Sequence, residues 1–544
     1  MTLTLSPSQT EAQGRINNYL LDYGKKNKMF LLAGSAGTGK STLISEILGC
    51  PEFKKKKIVF SATTNKAVSI LQKMCLEKQD IYEDMDIVFL TIHKLLKIKR
   101  KINKDGEELF QTEIDTENKK ITQAKSIFNY DIIVIDESSM ISLDIMQSLQ
   151  KIIYRIKGKV IFLGDKAQLP PVNETESIVF NNEIPNYELK EIMRYKGNLV
   201  LLANKFRDLV FDRSTKISFG EYKEKNIKTF SSYSKWIQQY LKEVRILRDK
   251  GSNIQNMLDK LPIFLVYTNR MCHQINQDVR KEIFPNTKDR YQVGEIILFN
   301  NYYYQRVKID KSNDSVQLNG VSSKKGEVEY DDIKYYTSQK SVVNKVDISQ
   351  YKLESLTKVL ALEIPKLLSR FQIDNTIGQN DGNNVDMLEL EELYLKKLEE
   401  TIGELTSLSV KHYILTLQDN KSIWVIHEET EREMEIVTEK TREQLHKFKK
   451  FFLRKYGKVK EIKVLLDKLM TTVWECFYAE VLDKFADISY GYSITTHKSQ
   501  GSTFRSVYLH LANIINCNSN EEESYRCLYT ALTRSSKKVH ILLK

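Results

Sequence analysis

The fold of this chain is decided by the stretch Gly34-Ser35-Ala36-Gly37-Thr38-Gly39-Lys40-Ser41, which fits the phosphate-binding pattern G-x-x-x-x-G-K-[ST]. The apolar run Met29–Ala33 precedes it, and apolar residues at helical spacing follow it as far as Gly49. In such a strand–loop–helix unit, backbone N–H groups and the helix N-terminus face phosphate oxygens. Lys40 would reach the β- and γ-phosphates, and Ser41 would hold Mg²⁺. A flexible glycine turn alone does not explain the strand, the helix and all three loop glycines together.

Two further motifs stand at the ends of predicted strands. Asp136-Glu137 closes the apolar run Ile132–Ile135, and Gly164–Val172 follows another apolar run. Carboxylates at the C-terminal end of a parallel strand lie at the same sheet edge as the phosphate loop. Asp136 can therefore take Mg²⁺, Glu137 can orient and deprotonate a water, and Gln168 can sense a γ-phosphate through its amide. Without the phosphate loop, the acidic pair would indicate only a polar surface.

The apolar runs predict two α/β cores. After a first helix with a predicted capping box of Ser8 and Glu11, strand-like runs alternate with helical stretches, an order typical of a parallel sheet covered on both faces. The first set of runs is Met29–Ala33, Ile58–Phe60, Ile87–Leu90, Ile132–Ile135 and Val160–Leu163. The second set is Ile263–Tyr267, Ile488–Ile494, Val507–Leu509 and Val539–Leu543. The second set lies too far along the chain to share one ordinary sheet with the first, so we expect a second core that contains a long insertion.

Composition and charge narrow the class of partner. The 544 residues include 83 Lys and Arg against 71 Asp and Glu, a formal net charge of +12. A basic balance favours a polyanionic partner, because phosphates release counterions when cations neutralise them. No apolar run approaches the length of a membrane span, and the sequence has no C-x-x-C pair or zinc spacing. The six cysteines are therefore predicted to be reduced thiols of an intracellular protein.

Five motifs together resemble those of superfamily 1 helicases in kind and order. They are the phosphate loop, Asp136-Glu137, Gly164–Val172, Thr495-Thr496-His497-Lys498-Ser499-Gln500-Gly501 and Ala531-Leu532-Thr533-Arg534. The match covers about 1–293 and 484–544 and looks most like the RecD/Dda branch of subtype B, whose members move 5′ to 3′ on single-stranded DNA. The long signature stretch of the PIF-type relatives is missing before Gly164, which disfavours that branch.

The resemblance implies an α/β fold of two RecA-like parallel-sheet cores. A β-hairpin would be inserted in the first core, and an SH3-like plus α/β segment in the second. The domains would be core 1A at 1–187 with the hairpin insert 96–124, core 2A at 188–293 and 484–544, and an inserted domain 2B at 294–483.

The same resemblance implies a complete ATP site. Gln9 matches the residue that reads the adenine edge, while Arg194 and Arg534 match two arginine fingers, the second from the other core. A guanidinium suits this role because it offers planar, permanently charged donors to the developing γ-phosphoryl charge. The catalytic set would be Lys40, Glu137, Gln168, Arg194 and Arg534. The residues that hold ATP would be Gln9, Gly34, Ser35, Ala36, Gly37, Thr38, Gly39, Lys40, Ser41, Thr42 and Gly501. The residues that bind the metal would be Ser41 and Asp136.

Nucleic-acid contacts are implied on the other side of both cores. The matching residues are Thr63, Thr64, Asn65, Thr91 and His93 in the first core and Thr495, Thr496, His497 and Lys498 in the second. Small hydroxyls and backbone amides suit sequence-independent contact with phosphates. For His93 and His497, a hydrogen-bonded histidine packed between loops is the alternative.

The segment Leu96–Thr112 is a candidate β-hairpin, placed where relatives have a strand-separating pin. Its basic arm, Lys97–Lys104, leads into a turn at Asp105-Gly106 and could hold displaced phosphates. Phe110 is the aromatic residue of the hairpin, and packing and base stacking are both open to it.

Three stretches of the insertion have recognisable patterns. Tyr291–Tyr330 resembles an SH3-like insert with Asn319-Gly320 in a matching turn, and the runs around Asp419-Asn420 predict a hairpin. Lys447–Tyr456 interleaves bases with aromatics, as single-strand binders do. We favour an amphipathic helix that packs these aromatics inward. The acidic run 381–404 fits a solvated helix face.

The leading hypothesis is an ATP-dependent DNA helicase that moves 5′ to 3′ on single strands and unwinds duplexes in replication, recombination or repair. The expected cofactors are ATP and Mg²⁺, and the expected partners are single-stranded and forked duplex DNA, with replication or recombination proteins. The chain would be a monomer, without a membrane partner, in the cytoplasm or wherever the genome is replicated. The alternatives are a superfamily 1 RNA helicase, and a non-unwinding ATP-gated nucleic-acid-binding subunit. The motif at 496–501 and the SH3-like resemblance favour DNA, and a scaffold has no need of the full hydrolytic set.

Overall fold

The computed structural model describes residues 5–22, 27–77, 82, 85–113, 127–181, 183–192, 198–212, 226–249, 254–308, 330–352, 359–360, 362–363, 365–366, 392–393, 396, 409–456, 460–517 and 520–544. The predicted finger Arg194, the turn at Asn319-Gly320 and most of the acidic run 381–404 lie outside these residues.

Strands and helices alternate through most of the described chain. The strands are β1 (Met29–Gly34), β2 (Ile58–Ala62), β3 (Ile87–Thr91), β4 (Ile98–Ile102), β5 (Glu108–Thr112), β6 (Ile132–Asp136), β7 (Lys159–Gly164), β8 (Asn186–Leu189), β9 (Ile227–Phe230), β10 (Ile263–Val266), β11 (Ile296–Phe299), β12 (Tyr303–Lys308), β13 (Tyr330–Tyr335), β14 (Lys340–Lys352), β15 (Ser409–Leu417), β16 (Ser422–Ile426), β17 (Ile488–Tyr490), β18 (Ser493–Thr495), β19 (Phe504–His510) and β20 (Ser535–Leu542). The helices are α1 (Pro7–Leu21), α2 (Lys40–Leu48), α3 (Asn65–Leu76), α4 (Ile92–Leu95), α5 (Leu143–Gln150), α6 (Asn198–Phe211), α7 (Tyr233–Asp249), α8 (Ile254–Lys260), α9 (Asn269–Ile283), α10 (Glu428–Tyr456), α11 (Lys460–Phe477), α12 (Leu511–Asn516) and α13 (Glu521–Thr533).

The chain divides into two compact units. The first consists of Met1–Lys99, Thr112–Thr287 and Tyr490–Lys544, and the second consists of Arg100–Gln111 and Lys288–Ser489. Both parallel sheets belong to the first unit. The hairpin tip and the long insertion make up the second unit, which is a few residues wider at each end than the predicted insertion 294–483.

The first parallel sheet has the order β3-β2-β6-β7-β1-β8. Its interior strands β2, β6, β7 and β1 are mostly apolar on both faces, as a sheet covered by helices on both sides requires. On β2, Phe60 packs in a cluster with Leu43 of α2, while its neighbour Val59 packs in a separate cluster with Leu149 of α5. The phosphate loop follows β1, and Asp136 is the last residue of β6. Both therefore lie at the carboxyl edge of this sheet.

The second parallel sheet has the order β18-β10-β19-β20-β9. Its interior strand β10 is fully buried and packs against aromatic residues of α7, where Trp236 and Tyr240 contact Phe264. The long interval between β10 and β18 holds the insertion, as the sequence predicted. The two α/β cores and their parallel sheets are thereby confirmed.

The second unit contains an antiparallel sheet of order β16-β15-β14-β11-β17 and the separate strand pair β12–β13. The hairpin predicted around Asp419-Asn420 is the pair β15–β16, with Asn420 at a φ of 62° in its turn. Lys447–Tyr456 lies in α10, where Phe448 and Phe452 are buried in an apolar cluster. The interpretation of this stretch as an amphipathic helix is confirmed.

The start of α1 differs from the prediction. Ser6, not Ser8, is the N-cap, and its box partner is Gln9, whose Oε1 accepts from the Ser6 N–H at 3.0 Å. The predicted box of Ser8 and Glu11 is wrong because Pro7 occupies the first helical position, where its fixed φ and missing N–H suit a helix start. Ser8 instead donates to Glu191 through its hydroxyl.

Two simple expectations can be checked against the described residues. The six cysteines are free thiols. Among the described helices, none is both long and apolar enough to cross a lipid bilayer.

Candidate nucleotide site and nucleic-acid cleft

The phosphate loop connects β1 to α2 and is held by its own lysine. Lys40 Nζ donates to the Gly34 carbonyl at 2.8 Å and to the Ser35 carbonyl at 3.1 Å. Gly39 has a φ of 82°, a left-handed backbone that favours glycine, and a Cβ there would lie 2.8 Å from Gln9 Nε2. Glycine at this position therefore allows both the left-handed backbone and the close approach of Gln9 to the loop.

Gln9 is part of this loop's support. It is 3% exposed, and its Nε2 donates to the Thr38 carbonyl at 3.0 Å while its Oε1 forms the cap of α1. The structure thus places Gln9 on the phosphate loop, and it fixes the side chain from both ends.

Ser41 and Asp136 lie side by side, as the predicted metal pair requires. The Ser41 hydroxyl donates to Asp136 Oδ2 at 2.7 Å, and the Glu137 N–H donates to Asp136 Oδ1 at 2.8 Å. Burial, followed by the charge of Glu137, raises the pKa of Asp136, so this carboxylate gains from a nearby cation. Among the described residues, no group of three or more His, Cys, Asp and Glu forms a metal site. One hydroxyl and one carboxylate fit Mg²⁺, which usually takes its remaining ligands from phosphates and water.

The predicted finger Arg534 reaches the catalytic residues of the first core. Its Nη2 donates to Gln168 Oε1 at 3.2 Å, and its Nη1 lies 3.6 Å from Glu137 Oε1. Arg534 and Gln168 are each 5% exposed. The structure therefore brings Glu137, Gln168 and Arg534 together, although Arg534 lies at the end of α13 in the second core.

The helix before Arg534 contributes further contacts that the sequence analysis missed. Arg526 donates to the carbonyls of Lys166 and Gln168, the latter at 3.2 Å. Thr530 Oγ1 accepts from the Leu169 N–H at 3.1 Å. Arg526, Thr530 and Arg534 are four residues apart and so share one helix face. That spacing was a signal available in the sequence.

Residues predicted to contact nucleic acid line a cavity of about 750 Å³ in the first unit. Thr495, His497 and Lys498 are among its lining residues. The other lining residues, which were not predicted, come from three segments: 169–175, Tyr267–Asn269, and the start of α13 with Asn520, Glu522, Glu523 and Arg526. The cavity therefore adjoins the loop that contains Gln168.

His497 is held in this cleft by a tyrosine and a carboxylate. The Tyr267 hydroxyl donates to Glu523 Oε1 at 2.9 Å, and His497 Nε2 lies 3.8 Å from the same oxygen. Burial lowers the pKa of His497, with Glu523 opposing the shift. His497 is therefore neutral at neutral pH and offers hydrogen bonds rather than charge.

Thr496 is placed differently from its neighbours. Its side chain is fully buried, and its hydroxyl donates to the Val266 carbonyl at 3.3 Å. The structure thus gives this hydroxyl a partner within the second sheet, and Thr496 does not line the cleft. Thr495 and Lys498 on either side do.

In the first core, the predicted contact residues lie at helix starts. Thr64 Oγ1 caps α3 by accepting from the Ala67 N–H at 3.2 Å, and Asn65 is the first residue of that helix. Thr91 Oγ1 caps α4 by accepting from the Lys94 N–H at 3.4 Å. Burial lowers the pKa of His93 in α4, so it too is neutral at neutral pH.

Two remaining predicted residues lie near these caps. The hydroxyl of Thr63 donates to Met140 Sδ at 3.4 Å. Gly501, expected at the nucleotide, packs against Thr64 and Ala67 of the first core. The structure thus joins the segment 495–501 to the start of α3.

The predicted hairpin is present as the strand pair β4–β5, and Phe110 on β5 is 64% exposed. Its basic arm is engaged in ion pairs within the second unit. Arg100 Nη1 lies 3.0 Å from Asp483, and Lys104 Nζ lies 2.9 Å from Asp467. These two cations are therefore partly neutralised by carboxylates, which weakens the expectation that they hold displaced phosphates.

Two families match parts of this chain. Residues 5–208 match the AAA domain family, and residues 490–542 match the family of UvrD-like helicase C-terminal domains. Together they cover the phosphate loop, the acidic pair, Gln168 and Arg534.

Individual proteins and one solved structure show what this chain is similar to. An uncharacterized protein of Acanthamoeba polyphaga mimivirus is 28% identical over 97% of this chain and 98% of its own length. The RecBCD enzyme subunit RecD of Buchnera aphidicola subsp. Schizaphis graminum is 31% identical over 28% of this chain and 25% of RecD. The solved structure of the Pif1 helicase from Bacteroides in complex with ADP-AlF3 and ssDNA is 15% identical, with a TM-score of 0.42 and coverage of 99% of this chain and 92% of that chain.

Proposed function

From the similarity of this chain to superfamily 1 helicases of the RecD type, we propose that it is an ATP-driven DNA motor that moves 5′ to 3′ on single strands and unwinds forked duplexes. ATP-dependent helicase activity follows from the family, while direction and substrate form are the proposal. The observation that supports it best is the position of Arg534, which reaches from the second core to Glu137 and Gln168 of the first.

The first core supplies the groups that bind ATP and activate water. Lys40 and the amides of the phosphate loop bind the β- and γ-phosphates, while Ser41 and Asp136 would hold Mg²⁺, which would supply positive charge at the phosphates. Glu137 accepts the proton of the attacking water, and Gln168 contacts the γ-phosphate. Gln9 fixes the loop against α1.

The second core supplies the charge that completes the site. In the transition state, Arg534 moves from its contact with Glu137 to the γ-phosphoryl oxygens, where negative charge develops. Because Arg534 and the base Glu137 belong to different cores, hydrolysis requires that the two cores close on ATP. Each cycle of binding and release therefore opens and closes that cleft, which is how hydrolysis produces movement.

Single-stranded DNA occupies the 750 Å³ cleft beside the loop of Gln168. Small hydroxyls such as that of Thr495, together with Lys498, bind phosphates without regard to sequence. His497, being neutral, donates or accepts a hydrogen bond at the strand. Glu522 and Glu523 at the start of α13 restrict the phosphate path to the opposite wall, because they repel phosphates.

The remaining assignments follow the family. Residues 1–187 form core 1A, with the hairpin of 96–124 as the pin that separates strands, and 188–293 with 484–544 form core 2A. Residues 294–483 form domain 2B with an SH3-like part. Gly501 is one of the residues that hold ATP, and Phe110 stacks on a base at the fork. The chain works as a monomer, with replication or recombination proteins, where the genome is replicated.

The test compares tailed duplexes of DNA and RNA in a strand-displacement assay with ATP. The proposal expects displacement of DNA with a single-stranded tail and at least tenfold slower displacement of the RNA counterpart. Glu137→Gln is the matched control, since it keeps the protein and its nucleotide binding but removes the base. Equal or faster displacement of RNA would overturn the choice of DNA, and ATP hydrolysis without displacement of either duplex would favour a binding subunit.

A further inference from the structure

A buried phenol connects the phosphate loop to the second core. Tyr529 lies on α13 and is 1% exposed, and its hydroxyl accepts a hydrogen bond from the Ala36 N–H at 3.0 Å. The same hydroxyl donates to Asp165 Oδ2 at 2.6 Å. Tyr529 belongs to the second core, whereas both of its partners belong to the first.

Asp165 is a fixed acceptor for this phenol. It is 2% exposed, and its Oδ1 accepts from the Ala167 N–H at 3.1 Å. Asp165 begins the loop in which Gln168 follows three residues later. The phenol therefore touches both segments that face the γ-phosphate, namely the phosphate loop and the loop of Gln168.

The surroundings exclude water from this contact and keep the phenol protonated. Burial works against the charge of Arg207 on α6, but the carboxylates of Asp165 and Glu188 outweigh it, so the pKa of Arg207 is raised. Burial, with the charge of Asp165, raises the pKa of Tyr529 well above its usual value, so the phenol stays protonated and keeps its donor. A hydrogen bond to a carboxylate in such a site is stronger than one between neutral groups.

We propose that Tyr529 is a positioning residue of the ATP site. Its hydrogen bonds hold α13 at the distance from the phosphate loop at which Arg534 can reach the γ-phosphate. Arg534 follows Tyr529 by about one and a half helical turns, so a shift of α13 at the phenol moves the guanidinium by a similar amount. Catalysis is sensitive to such displacements, because the finger acts only at the correct distance from the developing charge. The inference rests on the ATP hydrolysis proposed above and adds a residue to its machinery.

A purely structural role for Tyr529 predicts a different result from the same substitution. A phenol that only fills space would be replaced by phenylalanine with little effect, since the ring stays in place. A phenol that positions the finger would be needed in the closed, hydrolysing state and not for the first binding of ATP. The two readings therefore differ in how kcat and KM change.

The test is the variant Tyr529→Phe, with Tyr19→Phe as the matched control. Tyr19 is also a buried phenol, but its hydroxyl donates to the Val160 carbonyl at 3.1 Å within the first core. We expect Tyr529→Phe to lower kcat of DNA-stimulated ATP hydrolysis by about tenfold to a hundredfold, the range of hydrogen bonds to charged groups. The KM for ATP should stay within about twofold of wild type, because the variant removes no group that binds the phosphates. Tyr19→Phe should leave both constants unchanged.

A second measurement makes the test independent of turnover. Tyr529→Phe should bind ADP as wild type does but bind ADP with aluminium fluoride about tenfold or more weakly, since that complex requires the finger in place. Asp165→Asn, alone and combined with Tyr529→Phe, forms a double-mutant cycle. If the two side chains act through one hydrogen bond, the double variant will be no slower than the slower single variant.

Each outcome decides the matter. A wild-type chain that hydrolyses ATP, with a Tyr529→Phe variant of equal kcat and equal affinity for the aluminium fluoride complex, would overturn the role of Tyr529 and leave the proposed function standing. A higher KM at unchanged kcat would also overturn it, since the phenol would then serve ATP binding. Should Tyr529→Phe fail to fold, Asp165→Asn alone must show the lowered kcat, and normal turnover in that variant would reject the proposal. A wild-type chain without ATP hydrolysis would overturn both.

Discussion

The ATP site and the hairpin tip are both built from segments far apart in the chain, but different forces hold them. At the ATP site, Arg534 and Gln168 are each 5% exposed and meet through polar contacts. At the hairpin tip, Ile102 is buried in one apolar cluster with Trp474, while the ion pair of Lys104 and Asp467 is 42% and 32% exposed.

The polar contacts of the ATP site serve the reaction, whereas the apolar contacts of the hairpin tip make it rigid. Buried polar groups at the ATP site interact strongly because water is excluded, and each can be exchanged for a phosphate oxygen during the reaction. The half-exposed ion pairs of the hairpin contribute little, so the apolar contact with Trp474 must hold its tip. A rigid hairpin suits a pin that opposes the duplex while the strand is pulled.

The largest expected effect is at the ATP site. Arg534→Ala should lower ATP turnover by about 10³-fold or more while nucleotide binding is kept, since the finger acts on the transition state. Lys40→Ala should abolish hydrolysis by removing a phosphate-bound cation, and Glu137→Gln should bind ATP without turnover. Steady-state hydrolysis with single-stranded DNA measures all three. Near-normal turnover in Arg534→Ala would reject the role given to this residue.

The next effect is at the hairpin tip, where Gly106→Ala should disturb unwinding but not ATP hydrolysis. Gly106 has a φ of 80°, and a Cβ would lie 2.6 Å from Trp474 Cε2, a ring that cannot give way cheaply. We expect overpacking to lower the free energy of unfolding by about 1–3 kcal/mol, in addition to the cost of the backbone angle. Duplex unwinding should fall, because a displaced hairpin no longer opposes the duplex.

Gly294→Ala is the matched control for this variant. Gly294 has a φ of 85° in the same unit, but no atom lies within 4 Å of its Cβ position. It therefore includes the backbone cost without the collision. Thermal unfolding and strand displacement of both variants measure the difference, and equal behaviour would show that the Trp474 contact does not hold the hairpin.

A smaller effect is expected in the cleft. Lys498→Ala should reduce the salt dependence of single-strand binding by about one phosphate contact. His497→Gln should leave this salt dependence unchanged, because burial lowers the pKa of His497 and the imidazole is neutral at the pH of the assay. Binding titrations at several salt concentrations at pH 7.5 compare the two. A clear change of slope in His497→Gln would show that the histidine is charged at the strand.

The smallest effect is expected from the ion pairs around the hairpin. Lys104→Ala removes a half-exposed pair with Asp467 and should change the free energy of unfolding by less than about 1 kcal/mol. Lys345→Ala, which breaks the exposed pair with Asp347, is the control in the same unit. Denaturant titration of both compares them. A loss of several kcal/mol in Lys104→Ala alone would mean that charge, rather than packing, holds the hairpin.

The features of the fold and the site that could be predicted are those encoded by short runs of consecutive residues. The phosphate loop, Asp136-Glu137 and Gln168 each follow an apolar strand, so their position at one sheet edge follows from the parallel order of strands. Arg534 was identified through its motif, and the structure places it as that motif implies.

The parts that were missed depend on contacts between distant segments. Tyr529 and Arg526 belong to an ordinary helical pattern of the second core, and the sequence does not reveal that their partners lie in the first core. Thr496 shows the converse, because the sequence could not reveal that the Val266 carbonyl takes its hydroxyl. The cap of α1 was misplaced because Ser6 and Ser8 both fit a box, and only the position of Pro7 decides between them.

The central claim is that the closure of two cores on ATP drives this chain 5′ to 3′ along single-stranded DNA. A strand-displacement assay on one duplex, with an unpaired tail on either the 5′ or the 3′ end of the tracked strand, tests it most directly. The account predicts ATP-dependent displacement with the 5′ tail and none above background with the 3′ tail, and loss of the 5′-tailed reaction in Arg534→Ala. Displacement that starts from the 3′ tail would contradict it.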